Sequence, residues 1–242
     1  MSGSSWPTWS AAACSNAPAR AVPSPLVSVV VAVFNGARHL GEALDSAFGQ
    51  DYPEVEVIVV DDGSTDASPE VVDRYPVRSI RQPHGGQGAA KNRGVAAAHG
   101  DLIAFLDHDD VWRPEKLSRQ VAALAARPEA AGALARLEVL LEPGVPHPPW
   151  LTRSREYPWF PPSSWLLRRS AFDAIGPFVT DSVNPDFDWM LRARDAGAEF
   201  EIIEGPLGAY RFHGENVSYR REQLRDDGFE ALRRSLDRIR SK

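Results

Sequence analysis

Three apolar runs, each broken at its end by acidic or turn-forming residues, constrain this chain more than any other feature. "LVSVVVAV" (26–33) runs into Asn35-Gly36, "VEVIVV" (55–60) into "DDGSTD", and "LIAFL" (102–106) into "DHDD". Continuous β-branched runs of this kind suit strands buried on both faces, which is how parallel strands are placed. Between them lie segments with helical spacing. Leu40, Ala43, Leu44, Ala47 and Phe48 form one stripe, residues 68–74 a short helix, and "GGQGAAKNRGVAAAHG" a glycine-rich loop entering another. Residues 77–80 read as a further strand. Pro114 is expected to open a helix through about Ala126, with Leu117, Val121 and Leu124 on one side. Strands alternating with helices predict a three-layer α/β fold with a mainly parallel central sheet. Loops that leave the carboxyl ends of parallel strands share one edge of the sheet. Asn35, Asp61, Asp62 and the acidic group Asp107–Asp110 are therefore expected in one crevice.

Beyond Ala126 the pattern weakens. Residues 142–162 are rich in proline and aromatic residues and read as a loop able to cover a site. "SWLLRR" reads as an edge strand followed by a helix near 170–175. "NPDFDWMLRARDAG" reads as a helix with Asn184 as N-cap, Pro185 at its first position and Gly197 at its stop. "FEII" and "LGAYRF" read as two short strands. Residues 219–242 read as an arginine-rich amphipathic helix, and residues 1–25 as a disordered leader without the pattern of a signal peptide. The expected organisation is thus a leader (1–25), a catalytic domain (26–218, divided at 126/127) and a C-terminal helix (219–242).

Composition narrows the function. Net charge is −6 over 242 residues, which argues against a nucleic-acid partner. Cys14 is the single cysteine, so an intramolecular disulfide or a cysteine-based zinc site is excluded. No apolar run approaches the ~20 residues of a membrane span. These features together read as a cytoplasmic protein. Asn216-Val217-Ser218 matches a glycosylation sequon, read as chance.

The aspartates carry the chemistry. In an extended segment, residues two apart face the same way, so Asp107 and Asp109 are expected to point into the crevice and His108 away from it. Two close carboxylates resist joint ionisation unless a cation lies between them. An all-oxygen pair suits Mg²⁺ or Mn²⁺ bridged to substrate phosphates. The competing reading is a solvated acidic turn. A second metal chemistry, that of haloacid-dehalogenase-like phosphatases, also uses D-x-D behind a buried strand, with the first Asp as nucleophile. That family places the motif on its first strand, and here two strands precede it.

Six segments in order resemble the family 2 glycosyltransferases, with their GT-A nucleotide-sugar-binding fold. They are "VSVVVAVFNGARHLGEALDSAFGQ", "VEVIVVDDGSTD", "GGQGAAKNRGVAAAHGD", "IAFLDHDDVWRPEKL", "PDFDWMLRARDAG" and "YRFHGENVS". "WLLRRSAFDAIGPF" also resembles the acceptor-side strand and turn, and the resemblance covers about 190 residues. It implies that Ala32, Val33, Phe34 and Asn35 line the nucleotide base and that Asp62 contacts the base or ribose. A turn-capping role is the alternative for Asp62. Lys91, where the family often has arginine, either faces the diphosphate or sits on the helix surface. Asp107 and Asp109 match the metal-binding D-x-D, with His108 beside the nucleotide sugar, and His213 matches a late histidine able to reach metal or diphosphate.

The resemblance also implies inversion at the anomeric carbon, with Asp186 as general base and Asp188 as second choice. Pro185 stands where the family usually has an acid. Trp165 and Trp189 are read as packing residues. The partners expected are a nucleoside-diphosphate sugar, most commonly UDP-linked, and an acceptor hydroxyl on a saccharide, a lipid-linked saccharide or another compound. Without the Q-x-x-R-W motif of processive synthases, a single addition is expected. The C-terminal helix is read as packed on the domain or on a dimer partner, or as resting on the inner face of a membrane. The rival to an enzyme is a nucleotide-sugar-binding relative that has lost catalysis.

Overall fold

The computed structural model describes residues 24–146, 156–157, 160–214, 216 and 221–241. Its strands are β1 (Val27–Val33), β2 (Val55–Asp61), β3 (Arg78–Arg81), β4 (Leu102–Asp107), β5 (Val111–Trp112), β6 (Gly132–Leu141), β7 (Trp165–Arg168) and β8 (Phe200–Phe212). Its helices are α1 (Ala37–Phe48), α2 (Ser68–Val72), α3 (Gly86–Ala97), α4 (Lys116–Ala126), α5 (Arg169–Ile175), α6 (Pro185–Asp195) and α7 (Arg221–Arg240). All but the last two residues of the expected leader and most of the proline-rich 142–162 loop lie outside the described residues, as does Val217-Ser218 of the sequon.

One eight-stranded sheet runs in the order β3-β2-β1-β4-β7-β6-β8-β5. β1 pairs in parallel with both β2 and β4, and β2 with β3. The chain order reverses at β1, which makes the β1/β4 boundary the point where a ligand crevice opens beyond the carboxyl ends. Beyond β4 the sheet is mixed: β7 is antiparallel to β4 and β6, and β8 is parallel to β6.

Alternation along β1 explains the two apolar layers. Val27, Val29, Val31 and Val33 pack with Leu40 and Leu44 of α1 and Leu117 and Leu124 of α4. Val30 points the other way, with Ile103, Phe105, Trp165, Phe172 and Trp189. Each of these side chains is almost wholly buried, and full burial of one aliphatic or aromatic residue contributes roughly 1.5–3 kcal/mol. Trp165 and Trp189 have no solvent exposure and lie 5.4 Å apart, so they are packing residues as expected.

Several expectations change. β7 is an interior strand, because β4 and β6 both pair with it. Its short length and flanking arginines resemble an edge in sequence, but Arg168 and Arg169 bond backbone carbonyls instead of solvent. "FEII" and "LGAYRF" are one 13-residue strand, with Gly205 at positive φ and a register irregularity against β6. Gly205-Pro206 reads as a break in sequence, yet here it bends a continuous strand. β6 and the two-residue β5 carry no clear periodic signal. Pro114 does not open α4; the helix begins at Lys116, with Glu115 as its N-cap.

Candidate active site

The aspartate group sits at the end of β4, but not in the extended geometry expected. β4 stops at Asp107, residues 108–109 form a turn, and Asp110 N donates to Asp107 O at 3.1 Å. Period-two alternation therefore does not apply. His108 does not point away from the crevice. Its ring lies against Gly36 at the end of β1, where a Cβ would come within 2.2 Å of the imidazole.

The three carboxylates have three different environments. Asp107 Oδ1 lies 3.0 Å from Lys91 Nζ. Asp109 Oδ2 is 2.9 Å from His213 Nε2 and 3.4 Å from Asn216 Nδ2. Asp110 is 1% exposed and accepts from Arg211 N at 2.9 Å. Burial, then the charges of Asp109 and Asp107, push the Asp110 carboxyl well above the ordinary carboxylate value. Burial also opposes ionisation of Asp109, but His108 and His213 outweigh it and keep its carboxyl below the usual range. Each of the three adjacent acids thus has its own partner: Asp107 pairs with lysine, Asp109 lies beside histidine, and Asp110 accepts from a backbone N–H.

Arg211, part of the "YRFHGENVS" segment but given no role of its own there, fastens this turn. Its Nε donates to Asp109 O at 2.8 Å and its Nη2 to Glu42 at 2.6 Å. Asn216 accepts from His213 N at 2.6 Å and donates to Arg211 O at 2.9 Å. The end of β8 therefore presents His213 to Asp109 on a hydrogen-bonded frame.

Lys91 is buried at 1% exposure, not on a helix surface. α3 points it between Asp107 and Gln87, whose Oε1 is 3.4 Å away. The same helix docks the second half of the domain. Gln87 donates to Val183 O at 2.8 Å, and Asn92 bonds both backbone groups of Phe178. A Cβ on Gly88 would lie 2.2 Å from Val179 O, so only glycine permits this approach.

That docking places Asp186. Pro185 occupies the first position of α6, where a missing N–H costs nothing. Asn184 is the N-cap residue, although its side chain makes no cap bond. Burial raises the Asp186 pKa, Lys91 partly offsets this, and Asp107 adds to it. Asp186 is thus within electrostatic reach of Lys91 and Asp107. Asp188 does not: it is 2% exposed and paired with Arg192 at 2.8 Å and Arg234 at 3.5 Å. Tyr157 stacks on Tyr210 at 4.3 Å, and burial, followed by Asp186 and Asp110, raises its pKa. No motif pointed to these tyrosines.

At the other end of the crevice, Phe34 is 40% exposed and stacks on His84, with ring centroids 4.0 Å apart. Val33 is buried and Ala32 half-buried, so Val33 offers the crevice backbone only, and its carbonyl already accepts from Asp62 N. Asn35 adopts φ 52°, the left-handed region, and its Oδ1 accepts from Thr65 N at 2.8 Å. Asp61 caps the turn through Ser64 N. Asp62 is 2% exposed, and its oxygens accept from Gln82, Gly85 and Gly86 at 2.7–2.9 Å, with His84 Nδ1 at 2.8 Å. Its acceptor capacity is spent on the 82–86 loop.

Among the described residues no group of three or more His, Cys, Asp or Glu is arranged to hold a metal ion. Asp109 and His213 still fit one end of a divalent site, because an ion bound with a diphosphate takes most of its oxygens from phosphate and water.

Residues 28–176 match the family described as "Glycosyl transferase family 2". A Nostoc sp. protein named as an uncharacterised glycosyltransferase is 38% identical over 218 residues, covering 78% of this chain and 66% of its own length. Succinoglycan biosynthesis protein ExoO of Rhizobium meliloti is 42% identical over 113 residues, 45% of this chain and 31% of that one. Among solved structures, S. aureus TarS 1-349 in complex with UDP-GlcNAc superposes with TM-score 0.67 at 21% identity, over 88% of this chain and 66% of that one. The Pyrobaculum calidifontis mannosyltransferase PcManGT, in complex with GDP-Man and Mn²⁺, gives TM-score 0.70 at 22% identity, over 88% and 64%. The chain thus spans just under two thirds of the Nostoc relative and about a third of several others.

Proposed function

The chain belongs to glycosyltransferase family 2, and on that premise we propose that it transfers a single sugar from a nucleoside-diphosphate sugar to an acceptor hydroxyl, with inversion. One observation carries this reading. Lys91 pairs with Asp107 beside the Asp109–His213 pair at the carboxyl edge of the sheet, and the charges of Lys91 and Asp107 reach Asp186 on a third element.

In this account the base stacks at Phe34 and His84, beside the backbone of Ala32 to Asn35. Asp62 acts indirectly, by holding the 82–86 loop in place. Lys91 faces the diphosphate, where its point charge serves in place of the forked arginine. Asp109 and His213 would hold Mg²⁺ or Mn²⁺ with Asp107 alongside, and the ion would supply positive charge against the departing diphosphate. Asp186 takes the proton from the acceptor hydroxyl. Its raised pKa suits a base, since a carboxylate desolvated by its surroundings has greater proton affinity. Asp188, held by two arginines, is a structural residue.

The acceptor is a saccharide of an envelope or secreted polymer, a reading supported by the name of the ExoO relative. The D-x-D pair and Asp186 favour the enzyme over a catalytically silent relative, and Pro185, at the first helical position, leaves α6 intact without deciding between them. Incubating the protein with a panel of UDP-, GDP- and dTDP-sugars and Mn²⁺ tests the reading. Release of nucleoside diphosphate that is lost in Asp186→Asn supports it. Binding without release from any donor or acceptor supports the silent relative.

A further inference from the structure

α7 has two unlike faces. Ala231 and Ser235 are 2% and 1% exposed against the domain, and Arg234 and Arg238 reach Asp188 and Asp195. Phe229, Leu232, Leu236 and Ile239 are 64%, 40%, 52% and 52% exposed. Their spacing of three, four and three residues is that of a coiled-coil seam, which buries its apolar surface against a facing helix. The seam begins at a depression of about 240 Å³. Four of its lining residues, Arg225, Gly228, Phe229 and Leu232, stand at i, i+3, i+4 and i+7 on α7, and Phe187 of α6 forms one wall. Four residues in that arrangement make the hole that receives a side chain from a facing helix. Gly228, without a Cβ, deepens it.

We propose that this seam pairs with α7 of a second copy, antiparallel about a twofold axis beside Arg234. In that register Ile239 of the second copy enters the Phe229 hole, and Leu232 meets Leu236. Arg240 of the second copy comes within one turn of Asp226, an attractive contact made twice. Arg233, nearest the axis, is already neutralised by Glu230 at 2.7 Å. A membrane surface fits less well. The helix carries six arginines but five carboxylates, and an interfacial helix depends on a cationic polar face. The pairing is self-complementary, as a twofold interface requires.

Sedimentation velocity of the full chain from about 1 to about 200 μM, the range of modest homodimers, tests this. A dimer is expected, converted to monomer by Leu232→Glu/Leu236→Glu with an unchanged circular dichroism melt. Both positions are exposed, so the fold tolerates the change. In a Cys14→Ser background, an oxidised mixture of Leu232→Cys and Leu236→Cys is expected to give mainly the mixed disulfide dimer. A wild-type monomer throughout the range, a dimer indifferent to the double substitution, or a monomer that pellets with anionic vesicles overturns the proposal.

Discussion

Lys91 Nζ lies 3.0 Å from Asp107 Oδ1, joining α3 to the end of β4 inside the crevice, with the lysine 1% exposed. Asp107 is its anionic partner here, and the proposed donor site would bring a second anion, the diphosphate, to the same lysine. Lys91→Met should leave Asp107 without its counter-charge and weaken donor binding at least about tenfold, as expected for loss of a charge-assisted contact of ~1.5–3 kcal/mol. Lys91→Arg should restore part of it. Calorimetry with the preferred sugar nucleotide reads both, and an unchanged affinity in Lys91→Met would remove the lysine from the donor site.

The two aspartates of α6 should separate cleanly. Asp186→Asn is expected to lower turnover by about 10² or more, the usual worth of a positioned base, at near-normal donor affinity. Asp188→Ala should instead lower the melting temperature, since it removes the carboxylate that Arg192 and Arg234 share, although Arg192 keeps its bonds to the Ile175 and Pro177 carbonyls. If Asp188→Ala were stable but inactive, the assignment would be reversed.

Gly88→Ala tests the docking of the two halves. The added methyl would meet Val179 O at 2.2 Å, and backbone cannot swing aside as a side chain can. Overpacking of this sort costs roughly 1–3 kcal/mol, and the shift is transmitted to the loop before Asp186. Turnover should therefore fall even where the variant remains folded by circular dichroism. Normal turnover would mean that the α3–α6 contact does not set the position of the base.

Glu56 supplies a pH test of stability. Burial opposes its charge, but Ser28 and His99 hold its carboxyl below the ordinary value. A depressed folded pKa contributes stability above the unfolded value, about 4.3, and that contribution is lost as the pH falls through the lower folded value. Glu56→Gln should therefore be less stable than wild type at pH 7, with the gap closing below about pH 4. A constant gap across acid melts would contradict the linkage.

Much of the stretch from residue 26 to residue 107 is legible because β1, β2 and β4 are buried on both faces. Runs such as "VSVVVAV" have no other comfortable use, and each ends in a turn whose acids must gather on one edge. Asp107 and Asp109 could be singled out for the same reason, whereas Asp186 comes from the family resemblance. What escaped depends on contacts made far along the chain. Nothing local marks Arg211 as the clamp on Asp109 O, or Tyr157 as a neighbour of Asp186. The saturation of Asp62 depends on Gln82, Gly85 and Gly86, twenty or more residues away. His108 was misdirected because strand periodicity was extended one residue beyond the end of β4.

The most direct test titrates sugar nucleotides into the protein with Mn²⁺ or with chelator, for wild type and Asp109→Ala. The account predicts that at least one donor binds, that Mn²⁺ strengthens binding, and that Asp109→Ala abolishes the metal effect while the fold survives. If no sugar nucleotide binds, or if binding ignores both the metal and Asp109, the crevice does not hold a nucleoside diphosphate in the way described.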